Sequence, residues 1–246
     1  MPKISWSNGY IRNDDAALYY EVHQSPQENT PLLILLHGNG EDMHIFDEHI
    51  EPLLPYYTII TMDTRAQGKS SKGDRPLSYE LFADDLFTLV NKLQIGNFLL
   101  LGFSDGANVA LEFVLRHQER VAAMILVGAN LSPGGLTAMT RKALQLLLAA
   151  KALKALFSKR EDESRKLVRL MLEHPSIDPV CLEKITVPTL VISGEKDVVR
   201  DEHSRLIAAS LPNARHVVIP GTGHFVMKDA PTKFDRAVYE FLMEED

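Results

Sequence analysis

Cysteine is almost missing from this sequence. The 246 residues include one, Cys181, which cannot form an internal disulfide, and there is no cluster of cysteines to hold zinc. Basic residues are also in short supply. With 26 Lys+Arg against 33 Asp+Glu the formal net charge is −7. That argues against a nucleic-acid or anionic-membrane partner, since both need a basic footprint. No uninterrupted apolar run approaches the roughly 20 residues of a membrane-spanning helix. The N-terminal stretch MPKISWSNGYIRNDD lacks the apolar centre of a secretory signal. Against these absences stand 45% hydrophobic and 24% charged residues, a globular composition and not that of a disordered chain, a collagen-like repeat or a coiled coil. A chain of this length suits one domain with room for an inserted subdomain. The expectation is a soluble, cytoplasmic protein whose oligomeric state the sequence leaves open.

Residues 10–23 read as a hairpin, with Asn13-Asp14-Asp15 supplying the turn. A Pro- and polar-rich stretch, 25–31, ends that unit. Short apolar runs then recur at 32–36, 58–62, 98–103, 124–127, 190–193 and 216–219. Near-continuous apolarity over strand length is what a parallel strand covered on both faces needs. Helix-compatible segments lie between them at 78–93, opened by Ser78 as N-cap, and at 105–117, 202–211 and 231–243. Strands alternating with helices imply right-handed crossovers and a doubly wound α/β sheet.

One stretch breaks the alternation. Residues 131–180 offer mainly helix, with Leu144, Leu147, Leu148, Leu153, Leu156 and Phe157 among Arg141, Lys142, Lys151 and Lys154. An insertion of that length reads as a lid over one end of the sheet, flanked by core segments 1–130 and 181–246. A basic amphipathic helix can also lie on a membrane surface, but the acidic remainder of the chain opposes an anionic surface, so the lid is favoured.

The strongest chemical signal is Gly102-Phe103-Ser104-Asp105-Gly106, a G-x-S-x-G pattern between a strand and a helix-compatible run. A serine at a sharp strand-to-helix turn occupies strained backbone, so its neighbours two residues away must be small. Such a turn exposes the hydroxyl, and the helix N-terminus behind it favours developing negative charge. A serine nucleophile needs a base, and the base an orienting acid. Nine histidines are present. Only His224, in the Gly-rich loop Pro220-Gly221-Thr222-Gly223-His224, sits where a loop can carry an imidazole over the sheet's C-terminal edge. No pair has the H-E-x-x-H metal spacing. Asp197 follows another strand and a turn, with Glu195 as its rival for the acid. The chain order Ser104, Asp197, His224 fits a triad on such a sheet.

Taken with His37-Gly38-Asn39-Gly40 after the strand at 32–36, and with Asp63-Thr64-Arg65-Ala66-Gln67-Gly68-Lys69-Ser70 after that at 58–62, these motifs resemble the α/β-hydrolase family, in its serine-nucleophile, carboxylesterase-like branch. The resemblance runs through nearly the whole chain, and its motifs occur in the family's order. Ala66 departs from it, standing where the family has a glycine. The implied fold is a mostly parallel doubly wound sheet with an N-terminal antiparallel hairpin and a helical lid. The implied activity is ester hydrolysis through an acyl-enzyme on Ser104, with His224 as base, Asp197 as acid, and the backbone amides of Asn39 and Asp105 as oxyanion hole. Neither a cofactor nor a metal is implied, and the partner is a small or medium ester-like molecule. The resemblance gives His37 a bracing role rather than that of a base, and gives the Arg65 loop a structural role rather than phosphate binding. A serine at the turn argues against epoxide- or haloalkane-hydrolysing relatives, which carry a carboxylate there. C–C bond hydrolysis, amidase activity and a non-catalytic receptor role stay open as alternatives. Asp105 has two readings. It caps the following helix, or, by similarity to biphenyl-hydrolase-like, amino-acid-ester-cleaving members, it meets a substrate's ammonium group.

Overall fold

The computed structural model describes residues 5–245; the first four residues of the N-terminal stretch and Asp246 lie outside them. Eight strands form one sheet: β1 (Ser5–Asn13), β2 (Ala16–Gln24), β3 (Leu32–Leu36), β4 (Thr58–Met62), β5 (Phe98–Phe103), β6 (Val121–Val127), β7 (Thr189–Gly194) and β8 (Ala214–Ile219). Their spatial order is β1-β2-β4-β3-β5-β6-β7-β8. The hairpin is antiparallel, with Asp14 in the left-handed region at φ 51°, and β2 runs antiparallel to β4. All other pairings are parallel. This is the expected α/β sheet with its N-terminal antiparallel hairpin.

The helices are α1 (Asp47–Leu53), α2 (Tyr79–Lys92), α3 (Asp105–His117), α4 (Ala138–Ala155), α5 (Lys159–Glu173), α6 (Pro179–Leu182), α7 (Asp201–Ser210), α8 (Val226–Asp229) and α9 (Pro231–Glu245). Successive side chains of a strand point to opposite faces, and here both faces are covered. Ile34, Leu36, Leu100 and Leu126 pack with Phe82, Leu86 and Val109 from α2 and α3. Leu33, Leu35, Leu101 and Ile125 pack with Ile50, Phe234 and Val238 from α1 and α9. That double burial is the physical reason the central strands read as unbroken apolar runs. Ser78 caps α2 as expected, accepting a hydrogen bond from the Leu81 amide. Strand β6 begins at Val121, three residues before the apolar run signalled it, because Ala122 and Ala123 carry too little side chain to register.

Between β6 and β7 the chain forms α4, α5 and α6. Thr137 caps α4 and Ser158 caps α5, each accepting from an amide three residues on. Helix α5 buries Leu167, Val168 and Leu170, whereas α4 buries no side chain, and Met139, Leu153 and Phe157 beyond its end stand exposed. Alanine, leucine and lysine suit α4 for helix on propensity alone. Among the described residues no helix is long and apolar enough to cross a membrane.

Candidate active site

Every parallel strand of a doubly wound sheet delivers its following loop to one edge. Here the loops after β3, β5, β6, β7 and β8 bring His37–Glu41, Ser104, Gly128, Asp197 and His224 to that edge. Ser104 joins β5 to α3 with φ 54° and ψ −116°, a conformation that costs a non-glycine residue on the order of 1–3 kcal/mol. The turn is tight enough that a Cβ on Gly102 would lie 2.3 Å from the Gly106 carbonyl oxygen, and one on Gly106 2.2 Å from that of Leu36. Both glycines of the motif are therefore required by close backbone approach.

Ser104 Oγ lies 2.9 Å from His224 Nε2, and His224 Nδ1 lies 2.7 Å from Asp197 Oδ1. A carboxylate can only accept, so Nδ1 carries the proton and Nε2 is left to accept from the serine hydroxyl. Asp197 is held in turn by backbone amides, Val199 donating to Oδ1 and Gly194 to Oδ2, both at 3.1 Å. Glu195, the rival acid, instead accepts from the Gly221 amide at 2.8 Å, so it braces the histidine's loop and leaves the imidazole to Asp197.

The loop after β3 passes directly over the serine: a Cβ built on Gly38 would sit 3.1 Å from Ser104 Cβ. His37 braces this loop. Its Nε2 accepts from the Thr64 amide at 3.0 Å, so Nδ1 donates to the Gly38 carbonyl at 2.8 Å. Burial lowers its pKa and favours the neutral ring this arrangement needs.

Asp105 is buried, but its carboxylate does not cap α3. Oδ1 accepts from Tyr79 OH at 2.8 Å and Oδ2 from Asn39 Nδ2 at 2.7 Å. Asn39 Nδ2 also reaches the Leu167 carbonyl at 3.1 Å. Asp105 thus ties the serine turn to the loop after β3, and through Asn39 to α5. Burial pushes its pKa up to about 6, against the opposing pull of the Asn39 and Tyr79 hydrogen bonds. Each oxygen thus accepts one bond, and a substrate ammonium, the second of the two readings of Asp105, would share an oxygen with Tyr79 or Asn39. Sequence patterning did not single out Tyr79, which reads as one more apolar position of α2.

Arg65 is fully buried. It donates from Nε and Nη2 to Asp85 at 2.6 and 2.9 Å, and from Nη1 to Asp15 at 3.2 Å. These bonds join the loop after β4 to α2 and the hairpin turn, and leave no guanidinium for a phosphate.

A cavity of about 170 Å³ opens above Ser104, walled by Phe103, Val199 and Phe225, by Leu136 from the segment between β6 and α4, and by Thr140, Leu144 and Met171 from α4 and α5. Glu41 also borders it, and its Oε2 is buried without a hydrogen-bond partner. Like Tyr79 it has no signature in the sequence, where it follows the glycines of the loop as one more polar residue. Among the described residues no group of three or more His, Cys, Asp or Glu side chains could hold a metal ion.

A family model described as the alpha/beta hydrolase fold matches residues 31–153. A Haemophilus influenzae protein named "Putative esterase/lipase" is 27% identical, over 92% of this chain and 88% of that protein. A Caulobacter protein named "Putative carbamate hydrolase RutD" is 26% identical, over 93% of this chain and 96% of its own length. Among solved structures, an alpha/beta hydrolase enzyme from a deep-sea metagenome library of the Medee basin superposes with a TM-score of 0.83, at 21% identity, over 95% of this chain and 97% of its own.

Proposed function

The chain belongs to the α/β-hydrolase fold family, and from that premise we propose that it is a serine hydrolase cleaving small or medium carboxylic esters through a covalent acyl-enzyme. One observation carries the reading: the unbroken series Ser104 Oγ, His224 Nε2, His224 Nδ1, Asp197 Oδ1, with contacts of 2.9 and 2.7 Å. Ser104 Oγ attacks the ester carbonyl carbon while His224 Nε2 takes its proton. The negative oxygen that develops is held by the backbone N–H groups of Asn39 and Asp105, each worth about 3 kcal/mol in a water-poor site. Collapse breaks the C–O bond, the leaving alcohol recovers the proton from His224, and the acyl group stays on Oγ. Water, deprotonated by the same imidazole, then releases the carboxylic acid. Asp197 fixes the tautomer and stabilises the imidazolium formed in each half-reaction.

Residues 131–180 act as the lid, since Thr140, Leu144 and Met171 border the cavity; 1–130 and 181–246 form the core that carries the chemistry. A cavity of about 170 Å³ suits a short acyl chain. Carbamate hydrolysis is a second reading, favoured by the Caulobacter relative's name and its match over most of both chains. It needs the same attack on a carbonyl carbon.

The test compares wild type with Ser104→Ala on p-nitrophenyl acetate, p-nitrophenyl butyrate and an aryl carbamate, with fluorophosphonate labelling of both proteins. Wild type should be labelled and turn over the esters. Ser104→Ala should lose labelling and about 10⁴-fold or more of turnover while keeping its fold by circular dichroism. Undiminished turnover in Ser104→Ala would refute the nucleophile. Faster cleavage of the carbamate than of the esters would favour the second reading.

A further inference from the structure

If Ser104 attacks an ester in this cavity, as proposed above, one polar atom on the cavity wall is still without a partner. Glu41 stands at the end of the glycine loop that passes over Ser104, and its Oε2 is shielded from solvent with no hydrogen-bond partner. Orphaned buried acceptors are uncommon, and each costs about 1–3 kcal/mol unless something supplies a donor. The geometry points to Glu41 as a specificity-determining residue whose carboxylate binds a protonated amine on the substrate.

Three observations choose an ammonium group over a neutral or anionic one. The residues bordering the cavity include two carboxylates, Glu41 and Asp105, and neither lysine nor arginine. Asp105 has a donor on each oxygen, Asn39 and Tyr79, whereas Glu41 Oε2 has none, so the acceptor most in need of a donor is at Glu41. The aromatic rings of Phe103 and Phe225 also border the cavity, and ring faces attract a cation. Lys228, close enough to help stabilise the Glu41 charge, lies over the Phe225 ring at 5.4 Å and gives Oε2 no hydrogen bond. Burial raises the Glu41 pKa, and Lys228, His224 and the Gly38 backbone amide only partly oppose it; an ammonium group placed against the carboxylate would relieve that cost. The last torsion of a glutamate is soft, so Oε2 can turn toward a ligand with little strain.

The experiment uses two matched pairs of esters, with Ser104→Ala as the blank. p-Nitrophenyl alaninate against p-nitrophenyl isobutyrate places the amine on the acyl side. 2-Aminoethyl butyrate against n-propyl butyrate places it on the alcohol side. In wild type kcat/KM should favour the amine in at least one pair, on the order of tenfold or more. In Glu41→Gln that ratio should fall toward one, and in Glu41→Lys below one. Asp105→Asn should depress both members of a pair and leave their ratio near the wild-type value. A wild type that cleaves the neutral esters with no preference in either pair would overturn the role of Glu41 and leave the hydrolase reading standing. A preference that survives Glu41→Gln, or that vanishes in Asp105→Asn instead, would overturn it too. A wild type no faster than Ser104→Ala on all four esters would overturn both readings. Should Glu41→Gln fail to fold, inhibition of wild-type isobutyrate hydrolysis by n-butylammonium against n-butanol decides: stronger inhibition by the ammonium supports the assignment, and equal or weaker inhibition refutes it.

Discussion

Replacing Gly128 by alanine should disable the site without touching any of its reacting atoms. Gly128 follows β6 with φ +64°, and its amide donates to the Ile192 carbonyl at 2.9 Å. A Cβ there would lie 2.7 Å from His224 Cε1 and 2.9 Å from Nδ1. Ordinary carbon–carbon contact needs about 3.5 Å or more, so the imidazole must retreat by roughly 0.5–1 Å. It has no slack for that, being held at 2.7 Å from Asp197 and 2.9 Å from Ser104. A displacement on that scale can cost about 100-fold in rate. Stability should change far less: alanine in the left-handed region costs about 1–2 kcal/mol, partly offset because it narrows the unfolded ensemble. The assay is kcat on p-nitrophenyl butyrate beside the urea midpoint. Gly128→Ala with kcat within threefold of wild type would refute the crowding argument, and unfolding under native conditions would show that the cost falls on the fold instead.

Tyr79→Phe removes a donor to the Asp105 carboxylate. The Asp105 pKa in the folded protein, about 6, lies above the ordinary value of 3.8, so this group's penalty is present at pH 8 and fades as pH falls through 6, where the folded form takes up a proton. Loss of the Tyr79 bond deepens the penalty on the charged form by about 1–3 kcal/mol; urea midpoints should separate variant from wild type more at pH 8 than at pH 5, and equal separations would contradict this. Asp85→Ala strands the buried Arg65 guanidinium and should cost about 3–5 kcal/mol, read from thermal unfolding; a loss under 1 kcal/mol would mean that Asp15 and the Asn13 carbonyl, which accepts from Arg65 Nη2 at 3.1 Å, suffice. Ala66→Gly relieves a left-handed alanine at φ 63° and should be neutral to about 1 kcal/mol stabilising, whereas a clear loss of stability would show that the Ala66 methyl group contributes packing.

The parts of this molecule that were readable in its sequence are those whose physics is local. Two-sided burial makes β3, β4 and β5 continuous apolar runs. Backbone collision makes Gly102 and Gly106 obligatory, and a capping hydroxyl marks the start of α2. Strand order, by contrast, depends on crossovers that no single segment encodes. The edge of the sheet to which Ser104, Asp197 and His224 come could be anticipated because loops after parallel strands share one end. Family likeness favours Asp197 over Glu195, and the geometric reason lies outside the local sequence: Glu195 braces Gly221.

What the sequence concealed is the set of polar contacts between segments distant in the chain. Asp105, for which the sequence offers a helix cap or an ammonium contact, bonds to Tyr79, 26 residues before it, and to Asn39, 66 before it. Neither partner has a local signature: Tyr79 satisfies the apolar period of α2, and Asn39 looks like one more small turn residue. The same holds for Arg65, whose carboxylate partners Asp15 and Asp85 flank it 50 and 20 residues away. Such contacts bear on function because they set where the serine turn and the loop above it stand relative to one another. With Asn39 tied both to Asp105 and to the Leu167 carbonyl of α5, any shift of α5 is felt at the loop whose amide would hold the oxyanion. If 131–180 is the lid and the Asn39 amide part of the oxyanion hole, as proposed, a single carboxamide couples lid position to transition-state stabilisation.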